Sequence, residues 1–561
     1  MRHSSRLERA ETLVEAERRL ATGQTFQQVS ADLGIARSTL QDWHQAKEAQ
    51  LAAALPADFA AFVATPEGVG WLHRMVLAAH FAITLRGGAG VRVVCEFLEL
   101  SGLSAVVGAS YGSQQALNAA METAVVDLAK EQRTALAEGM APRRITALED
   151  ETFHPATCLV SLEPVSGFIL LEQYAKNRSA DTWTESLRAA LDGLKVEVIQ
   201  GTSDQAKALR RHIEQDLQAH QSPDLFHGQH EVAKATSLHL ARQVKQADAR
   251  VAAAEAQLNA ERAAEQAYQD QRPHPPGRPP AFGQRIQTAL TEWAEAQVEH
   301  EQAQARQVEA RAMIRELGEL YHPYELQQGH VQSVEGVATR FEDVWTRLQR
   351  LAETADLPTR ARERLAKAQR LTIQFLATLT FFFATLYSRI EMLNLPSDIE
   401  QAVITQLIPA LYILRVAERR TDADSRHRLR TLGAHLLEPL RQPDHPLQRL
   451  AAEERRCIEQ AAQDCADLFQ RSSSAVEGRN GQLARYHHGH HRLSARKLAA
   501  LTAVHNYYIR RADGTTAAER FFGHAHASLF EQLTERVPLP PLPRRRRPSP
   551  PRKPYLMPVA A

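Results

Sequence analysis

At 561 residues the chain is far longer than one hydrophobic core can fill, so two to four domains are expected. A composition of 44% hydrophobic and 24% charged residues is that of an ordinary globular protein; the net charge of +1 excludes a polycation and leaves nucleic-acid contact to local basic patches. Four cysteines (Cys95, Cys158, Cys457, Cys465), none in a Cys-x-x-Cys pair, argue against a disulfide scaffold or a zinc site and fit a reducing cytosol. The N-terminal Met-Arg-His-Ser-Ser-Arg-Leu-Glu-Arg lacks the apolar stretch of a secretory signal, so a cytoplasmic protein is expected.

Residues 7–47 read as helical, and their second half has helix-turn-helix grammar. Thr25 can cap a helix whose Phe26, Val29 and Leu33 share one face, Gly34-Ile35 makes the turn, and Arg37 opens the next helix. Leu40 and Trp43 then face the core, and Arg37, Ser38, Thr39 and Gln41 become candidate DNA contacts if that helix enters the major groove. A plain helical hairpin is the alternative. Residues 1–50 are therefore expected to be a DNA-binding domain, and 51–143 a helical region with a possible second copy at 91–117, around Val91-Arg-Val-Val-Cys-Glu-Phe-Leu98 and a Gly102 turn.

Strand signals concentrate in residues 144–235. Arg144-Ile-Thr-Ala-Leu-Glu-Asp150 is followed by two buried strands, Cys158-Leu-Val-Ser-Leu162 and Gly167-Phe-Ile-Leu-Leu171, joined by a turn. Another apolar run, Leu194-Lys-Val-Glu-Val-Ile199, precedes Asp204, which opens a helical stretch over 205–217. Asp224-Leu-Phe-His227 leads into helix. From 231 to about 321 the chain is Ala-, Glu-, Gln- and Arg-rich, broken once by Gln271-Arg-Pro-His-Pro-Pro-Gly-Arg-Pro-Pro280. Two arms of roughly 40 residues, each on the order of 60 Å long, should pair as an antiparallel coiled-coil hairpin.

More helices fill 330–470. Residues 371–388 carry no charge, but four Thr, a Gln and a Ser make this stretch a buried core helix rather than a membrane span. Residues 236–470 therefore read as one all-α insertion. Glu477 lies in Ser472-Ser-Ser-Ala-Val-Glu477-Gly-Arg-Asn480, at the start of a helix in the segment 471–525. Residues 526–561, with Arg544-Arg-Arg-Arg547 among prolines, are expected to be disordered.

Three acids, Asp150, Asp204 and Glu477, stand at strand ends and a helix start, as hard oxygen-seeking cations require. Each alone is weak: Asp204 in Gly-Thr-Ser-Asp-Gln could merely cap its helix. In Glu149-Asp150-Glu151, strand alternation lets only one face reach a site, which leaves Asp150 and Glu151 as alternatives.

The order Asp, Asp, Asp-x-x-His, then Glu in a Val-Glu-Gly-x-Asn setting resembles the bacterial insertion-sequence transposases of the DDE class. That resemblance implies a multidomain, predominantly α chain: a helix-turn-helix reader, then an α/β ribonuclease-H-like core (144–235 and 471–525) interrupted by the helical insertion. It implies Asp150, Asp204 and Glu477 as catalytic metal ligands, Asp150 being preferred over Glu151, for two Mg²⁺ or Mn²⁺ ions. It makes Asp224 and His227 supporting residues. Asn480 lies one turn past Glu477 on the same face, and Arg479 is placed to meet a phosphate. Metal-dependent cleavage at the element's ends and strand transfer by the freed 3′-hydroxyl would follow, on double-stranded DNA, by a homodimer or larger assembly, with no membrane.

His487, His488, His490 and His491, flanked by Arg485 and Arg492, suit a basic loop beside phosphate better than a zinc site. Arg496, Lys497, Arg510 and Arg511, interleaved with Tyr486, Tyr507 and Tyr508, would extend that surface. Related transposases stack an aromatic of the insertion on an unpaired base, which makes Trp293 and Trp345 candidates against a plain core role. The rival function is a catalytically inactive, transposase-derived DNA-binding regulator; a coiled-coil scaffold is disfavoured by the strand-rich segment.

Overall fold

The computed structural model describes residues 6–51, 56–153, 156–273, 277–490, 493–540 and 542–543; Arg544–Arg547, His491 and Arg492 lie outside them. The chain is mostly helical, with a small mixed sheet of five strands among the described residues. These are β1 (Arg143–Phe153), β2 (Thr157–Glu163), β3 (Phe168–Tyr174), β4 (Val196–Ser203) and β5 (His220–Pro223), in spatial order β3-β2-β1-β4-β5. The pairs β1–β2 and β2–β3 are antiparallel, whereas β4 runs parallel to β1 and β5 parallel to β4.

Local chemistry sets this order. Gly167, at a φ of +75°, makes the tight turn from β2 to β3, and Glu163 accepts the free amides of Val165 and Ser166 there. The parallel step to β4 needs a crossover, supplied by helix Ala180–Leu191. Alternation along β1 sends Glu149 and Glu151 to the face this crossover covers. Asp150 faces the other side, where helix Ser474–His490 lies.

One hydrophobic core joins the sheet to helices Pro66–His80, Val91–Leu100 and Tyr111–Gly139 and to the C-terminal helices from Ala495 onward. Residues 63–140 are thus a layer of the sheet's own core, not a detached helical region. The suspected second helix-turn-helix belongs to that layer. After the left-handed Gly102 comes a 29-residue helix whose first turns bury Gln114 and Asn118 against His80.

The expected start of the disordered tail at 526 is also corrected. Leu529 and Leu533, four apart, form one apolar face of helix Leu529–Arg536 and are fully buried. Ion pairs Arg74–Glu531 (2.6 Å) and Arg536–Glu131 flank it.

At the N-terminus, helices Arg6–Ala21, Phe26–Asp32 and Arg37–Leu51 enclose a small separate cluster of Leu13, Ala16, Val29 and Leu40, with Trp43 packed on it. Thr25 and Gln28 form a reciprocal capping box, and Gly34 takes the left-handed turn at φ +65°. Arg37 and Ser38 are exposed, while Thr39 and Gln41 are half-buried.

The insertion is all helical. Its arms, Leu225–Asp270 and Phe282–Leu320, pack along their length as an antiparallel hairpin. Ala289, Ala296, Ala303 and Ala310 recur every seven residues and are all buried, a heptad seam of small side chains that lets the arms approach closely. The 46-residue first arm spans about 70 Å.

Below the hairpin a second core gathers Val334–Thr354, Thr359–Glu391, Ile408–Arg419 and Ala452–Leu468. Thr359–Glu391 and residues 397–419 are long and apolar enough to cross a membrane by length and composition alone. Each turns one face into this core, at Phe375, Leu379, Phe382 and Leu386 in the first and Val403, Ile408 and Tyr412 in the second. Trp345 is a core residue here, its indole donating to Thr372 (2.8 Å); Trp293 is half-buried on the second arm.

Leu533→Ala should cost about 2–5 kcal/mol of stability through the cavity it opens. Urea unfolding checks this, and a loss below about 0.5 kcal/mol would return the segment to the tail.

Candidate active site

Chain connectivity places the site. The insertion leaves the sheet after β5 and returns just before helix Ser474–His490, and its two ends are clasped together. The amide of Leu225 donates to the Arg471 carbonyl (2.9 Å). Asp224 caps the first arm through the amide of Phe226 (2.7 Å) with one oxygen; with the other it accepts the Ser473 amide (3.2 Å) and the Ser473 hydroxyl. Asp224 is buried, and both of its oxygens are engaged.

This clasp lays the Glu477 helix against β1. Asn480, one turn past Glu477, donates its side-chain amide to Asp150 Oδ2 (2.9 Å). Asp204 follows the end of β4, the parallel neighbour of β1, and accepts the Ala206 amide (2.9 Å) with one oxygen. Burial pushes the Asp150 carboxyl up to about 6; the backbone hydrogen bond from Glu151 opposes this, and the charges of Asp204, Glu151 and Glu477 add to it. Glu477 is likewise raised, by burial first and then by Asp224, with His227 and His230 opposing.

Glu151 belongs to the other face. Trp183 donates its indole N–H to it (3.2 Å) and Arg178 lies 3.6 Å away. Strand alternation therefore favours Asp150 over its neighbour. Glu149, on that same far face, is fully buried with its carboxylate 3.5 Å from His212 Nε2.

Two sets of donors bear on a cation, and the structure groups only one of them closely. Asp150, Asp204 and Glu477 offer oxygen alone; burial raises the Asp150 carboxyl and the charges of Asp204 and Glu477 add to it, but among the described residues these three do not form a group whose ligand atoms lie within 4.8 Å of one another. Ligand atoms of Asp224, His227 and Glu477 do lie within 4.8 Å of one another. Because Asp224 already accepts three hydrogen bonds, it acts in that trio mainly as a positioning residue. Its place there, beside Glu477, is closer to the site than its supporting role in sequence suggested.

Two predicted residues face elsewhere. Arg479, expected to meet phosphate, is buried and makes a two-pronged ion pair with Glu172 on β3 (both bonds 2.7 Å), which Thr502 completes (2.6 Å). It anchors the Glu477 helix to the sheet and is not a DNA contact. Lys497, expected on the DNA surface, is buried against Glu122 (3.2 Å), and burial holds its pKa below the usual range.

The surrounding basic surface is smaller than expected. Arg496 shares Glu122 (3.2 Å) and stays partly exposed, and Arg485 is exposed on the Glu477 helix. That helix runs through His487 and His488, which are therefore not in a loop, and Tyr507 is a core residue. Glu172, Ser473 and Trp183 had no signal in sequence, since each acts through a partner distant along the chain.

Arg479→Ala should destabilise the fold by about 3–5 kcal/mol, because it strands the buried Glu172 carboxylate. Arg479→Met with Glu172→Leu should recover most of the loss in the same denaturant titration. A single-variant loss under about 1 kcal/mol would mean that the pair does not anchor the helix.

A carboxyl raised in the folded state contributes stability that is present below its unfolded pKa and lost as pH rises through the folded value. For Asp150 that window runs from 3.8 to about 6 and corresponds to about 3 kcal/mol. In chelator, Asp150→Asn should therefore melt higher than the parent above pH 6 and match it below pH 4. Parallel melting curves across this range would remove the strain from Asp150.

Residues 403–549 match a family model described as a family of unknown function (DUF6399). That stretch, about a quarter of the chain, holds the end of the insertion, Glu477 and Asn480, and leaves out Asp150 and Asp204. No curated protein matches the chain.

Proposed function

We propose that the protein is a DDE transposase that cleaves DNA at the ends of an insertion element and joins the freed 3′-hydroxyl to a target. The observation that carries this is the Asn480–Asp150 hydrogen bond. It seats a helix bearing Glu477 over the central strand that bears Asp150, with Asp204 at the end of the adjacent parallel strand. The sheet has β1, β2 and β3 antiparallel and β4 and β5 parallel to β1, with the Asp150 strand at its centre. It supports the α/β core split by an all-α insertion after β5.

Asp150, Asp204 and Glu477 would hold Mg²⁺ or Mn²⁺, which supply activation of the attacking oxygen and stabilisation of the leaving one. The remaining roles fall to the chain itself. Asn480 holds one Asp150 oxygen and leaves the other toward the site. Trp183 and Arg178 keep Glu151 out of it. Arg37, Ser38, Thr39 and Gln41 would read the element's end, and Arg485 and the exposed part of Arg496 would meet the backbone. Joining two ends requires at least a dimer, for which the hairpin arms offer a surface. The setting would be the bacterial cytoplasm.

A second reading, a catalytically inactive DNA-binding regulator, is favoured by one feature: the Glu477 carboxylate is grouped with Asp224 and His227 and not with Asp150 and Asp204.

Nicking of supercoiled DNA separates the two. Mg²⁺ and Mn²⁺ should support it, and Ca²⁺ should permit DNA binding with little turnover. Asp150→Asn, Asp204→Asn and Glu477→Gln should each lose cleavage by several orders of magnitude while still binding DNA. Glu151→Gln should cleave like the parent. No cleavage by the parent with any metal would leave the regulator, and parental cleavage by the Asp150, Asp204 and Glu477 variants would overturn the assignment of these residues.

A further inference from the structure

A cavity of about 410 Å³ opens where β1, the insertion and the start of the Glu477 helix meet. Leu148 lines it from β1, two residues before Asp150 and on the same strand face, and Ser472 and Ser474 line it just ahead of Glu477. The insertion contributes Arg415, Arg419 and Arg420, and the re-entry segment contributes Arg471.

The charges in this cavity do not balance. The nearby carboxylates, Asp467 and Glu418, are both taken by Arg415 (2.8 and 3.5 Å). Arg419 donates only to the neutral Gln470 side chain (3.1 Å). Arg471 donates to the carbonyls of Gly318 (2.6 Å) and Tyr321 (3.4 Å). Arg420 is half-buried and makes no ion pair with any described residue. Burial, together with the charges of Arg420 and Arg419, holds Arg471 below the usual guanidinium range, with Tyr412 opposing. Three guanidiniums therefore converge on one cavity whose hydrogen-bond acceptors among the described residues are neutral, with Asp467, already paired to Arg415, a carboxylate that also feels the charge of Arg419. Planar, permanently charged forks of this kind match a phosphate's oxygens.

We propose that this pocket seats a backbone phosphate of a DNA strand running past Glu477, so that the insertion, and not the sheet, sets the strand's path into the site. The proposal rests on DNA being the substrate, as argued above. It requires that Arg419 and Arg420, the two with side chains least tied down, act in binding and not in the fold.

The test uses the full-length protein in chelator and a single-stranded DNA oligonucleotide of about 20 nucleotides, followed by fluorescence anisotropy at several salt concentrations. Arg419→Ala/Arg420→Ala should bind on the order of 10-fold more weakly. Its plot of log affinity against log salt should be shallower by about 0.7 for each phosphate no longer neutralised. Arg420→Lys should keep more of the affinity than Arg420→Ala. Parental affinity and slope in the double variant, with its circular dichroism intact, would overturn the assignment. So would a pocket that takes inorganic phosphate alone, raising the parent's melting temperature but not the double variant's while DNA binding stays equal in both. Metal-dependent nicking is measured in parallel. Its absence from the parent, with the binding difference intact, would sink the catalytic reading and leave the pocket standing.

Discussion

The buried Asp224 carboxylate closes a loop of about 250 residues. One oxygen caps the outgoing arm and the other holds the Ser473 amide and hydroxyl where the chain returns, so the insertion begins and ends at one point on the sheet. Loop-closure cost rises only logarithmically with length, so a local clasp of this kind, backed by the helical core, can hold so large an insertion without distorting its host. Everything at the candidate site depends on it. Were the two ends apart, the helix bearing Glu477 and Asn480 would have no reason to lie over β1.

Two further interactions make the placement rigid. The Arg479–Glu172 pair is buried and also bound by Thr502, and it fixes the rotation of the Glu477 helix against β3. A buried pair of this kind adds little net stability, because both charges must be stripped of water, but it selects one orientation sharply, since any other leaves a bare charge. Asn480 then needs only one hydrogen bond to orient Asp150. On the opposite face of β1, Trp183 and Arg178 hold Glu151. Neighbouring carboxylates are thus given different surroundings by the alternation of a single strand.

The acids that remain repel one another, and the arginines a short way along the same face do so too. A fold carrying both clusters is under electrostatic tension of two signs. On the proposed reading, a divalent cation would relieve one and a phosphate the other. Marginal stability means that such unfavourable local terms must be offset by the two large apolar cores.

Much of this was legible in the sequence wherever the signal is local. The Thr25 cap, the Gly34 turn, Leu40 and Trp43 marked the N-terminal helices, because capping and helical spacing act within a few residues. Apolar runs marked the strands, and a proline-rich break between alanine-rich arms marked the hairpin. Asp150, Asp204 and Glu477 were singled out only by their order along the chain, and the structure groups Asp224 and His227 with Glu477. What depends on partners far apart was not legible. Arg479 and Lys497 look like surface cations until Glu172 and Glu122 arrive from 307 and 375 residues away to bury them. The helix at Leu529–Arg536 is too short to stand alone and exists because the long helix Tyr111–Gly139 gives its two leucines a surface. By itself the sequence determined the elements and the identity of the charged groups. Only the tertiary structure decided which charges are paired and which are left facing each other, because pairing is set by distances in space and not by spacing along the chain.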